Sequence, residues 1–169
     1  MKYPVIILLV LISLCAFQSS ETVINNAARC YRETNTLLQN GKFHVNESPD
    51  KSYCGGVLKG YYQLGENSYR LLVDVDSGEC ALTKTEVYLS YGQVVFVHSS
   101  CRTYSNTITA CPGYIKNADE RFWFLNGVAV RYMIGNTVFT GDTLRYINNV
   151  YAEEQCVQER IAALPELTR

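Results

Sequence analysis

Between residues 21 and 40, apolar positions recur at helical intervals. Ile24, Ala28, Tyr31 and Leu38 fall on one stripe, with Val23, Ala27, Cys30 and Leu37 beside it. Ser20 stands where an N-cap is wanted and Asn40-Gly41 is a stop signal, so the pattern predicts a helix over 21–40. Residues 42–55 keep no period and read as irregular. From Gly56 to Phe139 the period shortens to two, with Tyr, Val, Phe and Thr dominant and turn residues at strand-length intervals. Three segments repeat one layout of aromatic strand, tight turn and apolar strand. They run from Gly60 to Val75, from Glu86 to His98 and from Arg121 to Ile134. When Gly92 is aligned with Gly127, Val87 matches Phe122, Tyr88 matches Trp123, Leu89 matches Phe124 and Val95 matches Val130. Asn126-Gly127 is the strongest hairpin signal in the chain, because both residues tolerate positive φ. Residues 99–119 carry loop chemistry and interrupt the strands. Residues 142–164 return to helical spacing through Leu144, Ile147, Val150, Tyr151, Val157, Ile161 and Leu164. Asp142 or Thr143 is placed to cap that helix and Pro165 to end it, with Glu153, Glu154, Glu159 and Arg160 on the solvated side.

Helix, strands, helix is the order of an α+β domain. The expectation is an antiparallel β-meander of about six to seven strands, packed with an N-terminal and a C-terminal helix. One domain over residues 21–169 is long enough to bury a real core.

Residues 1–20 fall outside that domain. Lys2 precedes an apolar run from Val5 to Phe17, too short to span a bilayer, and small residues follow. This is the pattern of a signal peptide. It implies a secreted or periplasmic protein with no membrane span, and it recasts the cysteines. Of seven, Cys15 would leave with the leader; Cys30, Cys54, Cys80, Cys101, Cys111 and Cys156 stay. An even number in an exported chain reads as disulfides. No CxxC pair exists and His44 and His98 are the only histidines, so no metal site is expected. A turn at Gly65–Ser68 brings position 54 opposite residue 79, which favours Cys54–Cys80. Cys101 and Cys111 bracket one loop and pair locally. Cys30–Cys156 remains, and it requires the two helices to be neighbours.

With 18% charged residues and a net charge of −1, the chain lacks the basic excess of a nucleic-acid binder. Neither histidine stands in a nucleophile motif. Asp74–Glu79 begins like a calcium loop, but Glu79 and Thr85 occupy the positions that need Gly and Glu. Gly55-Gly56 is not followed by the Lys of a phosphate loop. The Asn46-Glu47-Ser48 sequon is followed by Pro49. No catalytic set and no cofactor are expected.

Thirteen tyrosines are the one compositional excess. Aromatics adjacent in a strand point to opposite faces, so one of each pair is core and the other is covered or exposed. Tyr62, Tyr88, Tyr104, Tyr114 and Trp123 are therefore the candidate binding residues. The hairpins Glu86–Val97 and Glu120–Met133 resemble those of small exported bacterial proteins of unknown function. Such proteins carry repeated aromatic-strand, Gly-turn, apolar-strand units after an N-terminal helix. More loosely, the hairpins resemble MORN-type and antitoxin-like repeats. The resemblance covers residues 56–134 and implies no catalytic residue; Tyr91-Gly92 replaces its usual Asn/Asp-Gly turn. Two functions stay open: an interaction protein, of immunity or inhibitor type, that binds a protein partner, or a domain that binds a small apolar ligand in an aromatic pocket between sheet and helices. A flat exposed aromatic face would mark the first and a concave pocket the second.

Overall fold

A computed structural model describes residues 20–48, 56–77, 81–103 and 118–167. Helix α1 spans Ser20–Gln39. Eight strands follow: β1 His44–Glu47, β2 Val57–Tyr62, β3 Leu71–Ser77, β4 Ala81–Ser90, β5 Gln93–Thr103, β6 Ala118–Leu125, β7 Val128–Ile134 and β8 Thr137–Thr140. A 3-10 segment, Gly141–Tyr146, leads into helix α2, Asn148–Ala162. Every strand pairs antiparallel with its sequence neighbour, which makes one eight-stranded meander. The α+β class and both helices are as expected, and the strand count is slightly higher. The extra strand comes from β1, inside the stretch expected to be irregular. β5 also runs through Ser99–Thr103, where an interruption was expected, because those residues pair with Ala81–Thr85 on one side. On the other side, Ser99, Ser100 and Cys101 pair with Glu120, Asp119 and Ala118.

The helices lie on opposite faces of this sheet. Val23, Ala27, Cys30 and Thr34 form the buried stripe of α1, so the row beside the expected one is the row that packs. Ala27 and Cys30 join Leu71, Tyr88 and Phe96 in one core cluster. Val150 and Val157 of α2 join Leu72, Val87, Val97 and Phe122 in the other. Leu71 and Leu72, or Tyr88 and Leu89, are consecutive and all buried, which a strand permits only when both its faces are covered.

This arrangement overturns the Cys30–Cys156 bridge. The two cysteines sit on helices that the sheet separates. Cys30 keeps a free, buried thiol that donates to the Leu89 carbonyl at 3.4 Å, and burial pushes its pKa up. Cys101 likewise carries a free thiol, against the expected local bridge. Its expected partner Cys111, and Cys54 and Cys80, lie outside the described residues, as do the leader over residues 1–19, Tyr104 and Tyr114. The β2–β3 register, Tyr61 opposite Leu71, is one residue from the one that placed Cys54 near Cys80.

The C-terminal helix differs from expectation in two ways. Extended backbone at Ile147 (φ −101°, ψ 108°) divides it into the 3-10 segment and α2. No side chain caps either piece, and the Thr143 hydroxyl donates instead to the Thr140 carbonyl at 2.7 Å. Second, Arg160 is not solvated. It is 4% exposed and donates to Asp74 Oδ2 at 2.9 Å and to Glu153 Oε1 at 2.7 Å. Burying that guanidinium without carboxylate partners would cost several kcal/mol, so Asp74 and Glu153 are the condition for its position.

The two matched hairpins are alike in geometry. Tyr91 and Asn126 both adopt positive φ (52° and 53°), each followed by a positive-φ glycine, as two-residue turns between right-twisted strands require. In the first hairpin Tyr88 faces Phe96 but Leu89 faces Val94, so Val95 is an unpaired bulge residue. In the second, Trp123 faces Arg131 but Phe124 faces Ala129, so Val130 is the bulge. Val95 and Val130 are the residues that the Gly92–Gly127 alignment superposes.

Candidate binding cleft between α1 and the sheet

Successive strand pairings line up two rows across the α1 face. The first runs Tyr61, Leu71, Tyr88, Phe96, Trp123, Arg131. The second, one step along, runs Lys59, Val73, Glu86, His98, Arg121, Met133. Helix α1 lies over the first row, and Tyr31 extends its cover: the Tyr31 ring is 5.1 Å from Tyr88 and 6.1 Å from Phe96, centroid to centroid. Phe96 in turn meets Trp123 at 5.3 Å. The two bulges contribute to this order. The extra residue at position 95 leaves Val94 and Val97 on the α2 face while Phe96 turns toward α1.

Between helix and sheet a cleft of about 370 Å³ remains open. Ile24, Ala27, Ala28 and Tyr31 form its helix side; Phe96, His98, Arg121 and Trp123 form its sheet side. Ala27 and Ala28 are the small side chains on the helix side. A larger cleft, of about 470 Å³, lies beside the 3-10 segment. Two of its three charged lining residues, Asp142 and Arg145, are 92% and 81% exposed, which makes that part a solvated groove.

The polar end of the first cleft is a network on the second row. Glu86 accepts from Lys84 Nζ at 2.6 Å and from His98 Nδ1 at 3.3 Å. The His98 bond, before the Lys84 bond and charge, holds the Glu86 carboxyl down at about 2, against the effect of its burial. The Tyr88 hydroxyl donates to Glu86 at 3.4 Å and accepts from Asn35 at 3.3 Å. Its pKa is raised, first by burial. On the far side of His98, Asp119 lies 3.4 Å from Nε2 without hydrogen-bond geometry, and it accepts two bonds from Arg121 at 3.1 and 3.2 Å. Arg131 stands 5.0 Å over the Trp123 ring, a cation–π contact.

Of the expected binding residues, Trp123 lines this cleft, and Tyr88 does not: it is fully buried in the core beside Tyr31 and Phe96. Tyr62 does not take part: it packs on the α2 side, edge-on to Tyr69 at 5.9 Å and tilted on His44 at 5.7 Å. The helix residues and the His98–Arg121 pair were missed. The available signal was the register, which sets Glu86, His98 and Arg121 side by side once the turns at 91–92 and 126–127 are fixed. His98 sits in the middle of β5.

The α2 face carries a second polar group. Asp74, Thr85, Ser99 and Glu120 form one row across four strands. Asn149 and the Tyr132 hydroxyl both donate to Glu120, and Thr85 and Ser99 share a hydrogen bond at 3.2 Å. Burial raises the Glu153 pKa against the pull of Arg160. Arg160 and Asp74 are each buried to within a few per cent, so this group ties α2 to the sheet.

Among the described residues no group of three His, Cys, Asp or Glu is placed to hold a metal ion, and no helix is long and apolar enough to cross a membrane. No protein-family model, curated protein or solved structure matches this chain.

Proposed function

We propose that this chain is an exported, non-enzymatic binding domain that takes a small apolar or aromatic molecule in the cleft between α1 and the sheet. The observation that carries this reading is the cleft itself. Its volume lies within the range of small-ligand sites, and three aromatic rings, Tyr31, Phe96 and Trp123, line it with few polar groups. The aromatic row is concave and covered by a helix rather than flat and open. Among the described residues the most exposed tyrosines, Tyr91, Tyr146 and Tyr151, sit on a turn, the 3-10 segment and α2, outside the aromatic row. Export rests on the leader pattern of residues 1–20.

The test uses Trp123, the single tryptophan of the chain. The neutral probe N-phenyl-1-naphthylamine should bind and accept excitation energy from Trp123. Ala28→Phe, which fills the cleft from the helix side, should abolish the transfer while the thermal unfolding transition is kept. Equal transfer in the filled variant would place the probe elsewhere and end this reading.

A further inference from the structure

The charges around the cleft allow its ligand to be described more closely. Arg121 is the one ionised side chain among the residues that line it; Glu86 and Asp119 stand behind. Glu86 is satisfied by Lys84 and His98. Asp119 takes two of the five guanidinium N–H groups of Arg121, through Nε and one Nη2 bond, and leaves three. Arg131 Nε, beside Trp123, has no hydrogen bond. Arg131 also has no carboxylate within salt-bridge distance among the described residues, so its charge is balanced only by the Trp123 ring. The polar end therefore offers the free N–H groups of Arg121, Arg131 adds an unbalanced positive charge nearby, and the other end offers aromatic faces.

Resting on the binding reading above, we propose that the ligand is a small aromatic or planar apolar anion, such as an aryl carboxylate. Its ring lies between Tyr31, Phe96 and Trp123, and its carboxylate accepts from Arg121. A cationic ligand would be repelled by Arg121, and a neutral one would bind through the rings alone and forgo the charge-assisted bonds that the free N–H groups of Arg121 offer an anion. A planar carboxylate suits the fork of a guanidinium, which pairs with it through two parallel bonds. The electrostatic share of the affinity comes from Arg121, with Arg131 as a flanking charge.

The experiment compares 1-naphthoate with 1-naphthamide, which keeps the ring and removes the charge. Binding to the full chain is measured by calorimetry and by the indole N–H resonance of Trp123. The carboxylate should bind at least about tenfold tighter than the amide, the ratio that one charge-assisted hydrogen bond supplies. Arg121→Gln should bring that ratio to about one and leave amide binding in place, with Arg121→Lys between. Retained amide binding also shows that the variant is folded. Equal affinities in the wild-type chain would refute the anion while the cleft stands. Binding of neither compound would remove both readings. A preference for the carboxylate that survives Arg121→Gln would overturn the role given to that residue.

Discussion

Replacing Glu86 with Gln should remove the largest single pH-dependent contribution to the α1 face. The Glu86 carboxyl is held near 2 in the folded chain, against an ordinary value of 4.5. That difference corresponds to about 3 kcal/mol of stability. The side chain is only 17% exposed, so screening takes little from the figure, although its partner Lys84 is half exposed and contributes less than His98. The sign follows from the direction of the shift. A carboxyl with a depressed folded pKa stabilises fully above its unfolded value, so the contribution is complete above about pH 4.5 and is lost as pH falls toward 2. Glu153 acts the other way: its pKa is raised by burial, so its contribution is present at low pH and lost as pH rises through the folded value. The acid limb of the wild-type curve is thus a difference of opposed effects, and the Gln variant isolates one of them. Denaturant unfolding of both proteins between pH 7 and pH 2 should show a gap of about 3 kcal/mol at neutral pH that closes toward pH 2. A carbon-detected titration of the Glu86 carboxyl should rise toward its ordinary range in His98→Phe more than in Lys84→Ala. A gap that stays constant with pH would mean that the Glu86 hydrogen bonds are not what stabilises the folded state.

Two further outcomes are expected. Arg160→Met leaves Asp74 and Glu153 facing each other without their cation, and should cost about 3–5 kcal/mol in denaturant at neutral pH, less at pH 3 where the carboxyls take protons; a loss under about 1 kcal/mol would show that α2 is held by its apolar residues alone. Cys30 should resist iodoacetamide in the native protein and react only on unfolding, since its thiol is buried and bonded to Leu89. Peptide mapping that found Cys30 linked to Cys156 would contradict the placement of the helices on opposite faces.

Periodicity in the chain carries the elements and turns well, because those depend on neighbours. The helices, the Tyr91-Gly92 and Asn126-Gly127 turns and the repeated hairpin are all local. The placement of the helices was also recoverable, from Leu71-Leu72, Val87-Tyr88-Leu89 and Phe96-Val97, where consecutive large apolar residues leave no strand face free for water. Residue type misled at α2. Positions 150, 153, 157, 160 and 164 keep helical spacing, so Glu153 and Arg160 belong to the buried stripe by geometry. Their charge argued for solvent, and the residue that reverses the argument, Asp74, is 86 positions away. The cleft fails to show for a similar reason. Its helix side and its sheet side come from segments at least 65 residues apart, Tyr31 to Phe96 being the shortest separation, and neither side has a period or motif of its own.

The repeated bulge joins the fold to the site. A hairpin with strict alternation would send residues 94 and 96 to the same face, and Phe96 would leave the aromatic row. The extra residue at Val95 prevents this. In the second hairpin Val130 does the same for Arg131, which comes to stand over Trp123 instead of facing α2. The first bulge thus supplies an aromatic wall of the cleft and the second supplies its flanking cation. Two turns of the same geometry carry different residues at corresponding positions, Phe96 in one and Arg131 in the other. That difference makes one end of the first row apolar and the other charged. A row that is apolar at one end and charged at the other, beside the small Ala27 and Ala28 of α1, is the basis for the proposed ligand of one ring and one anionic group.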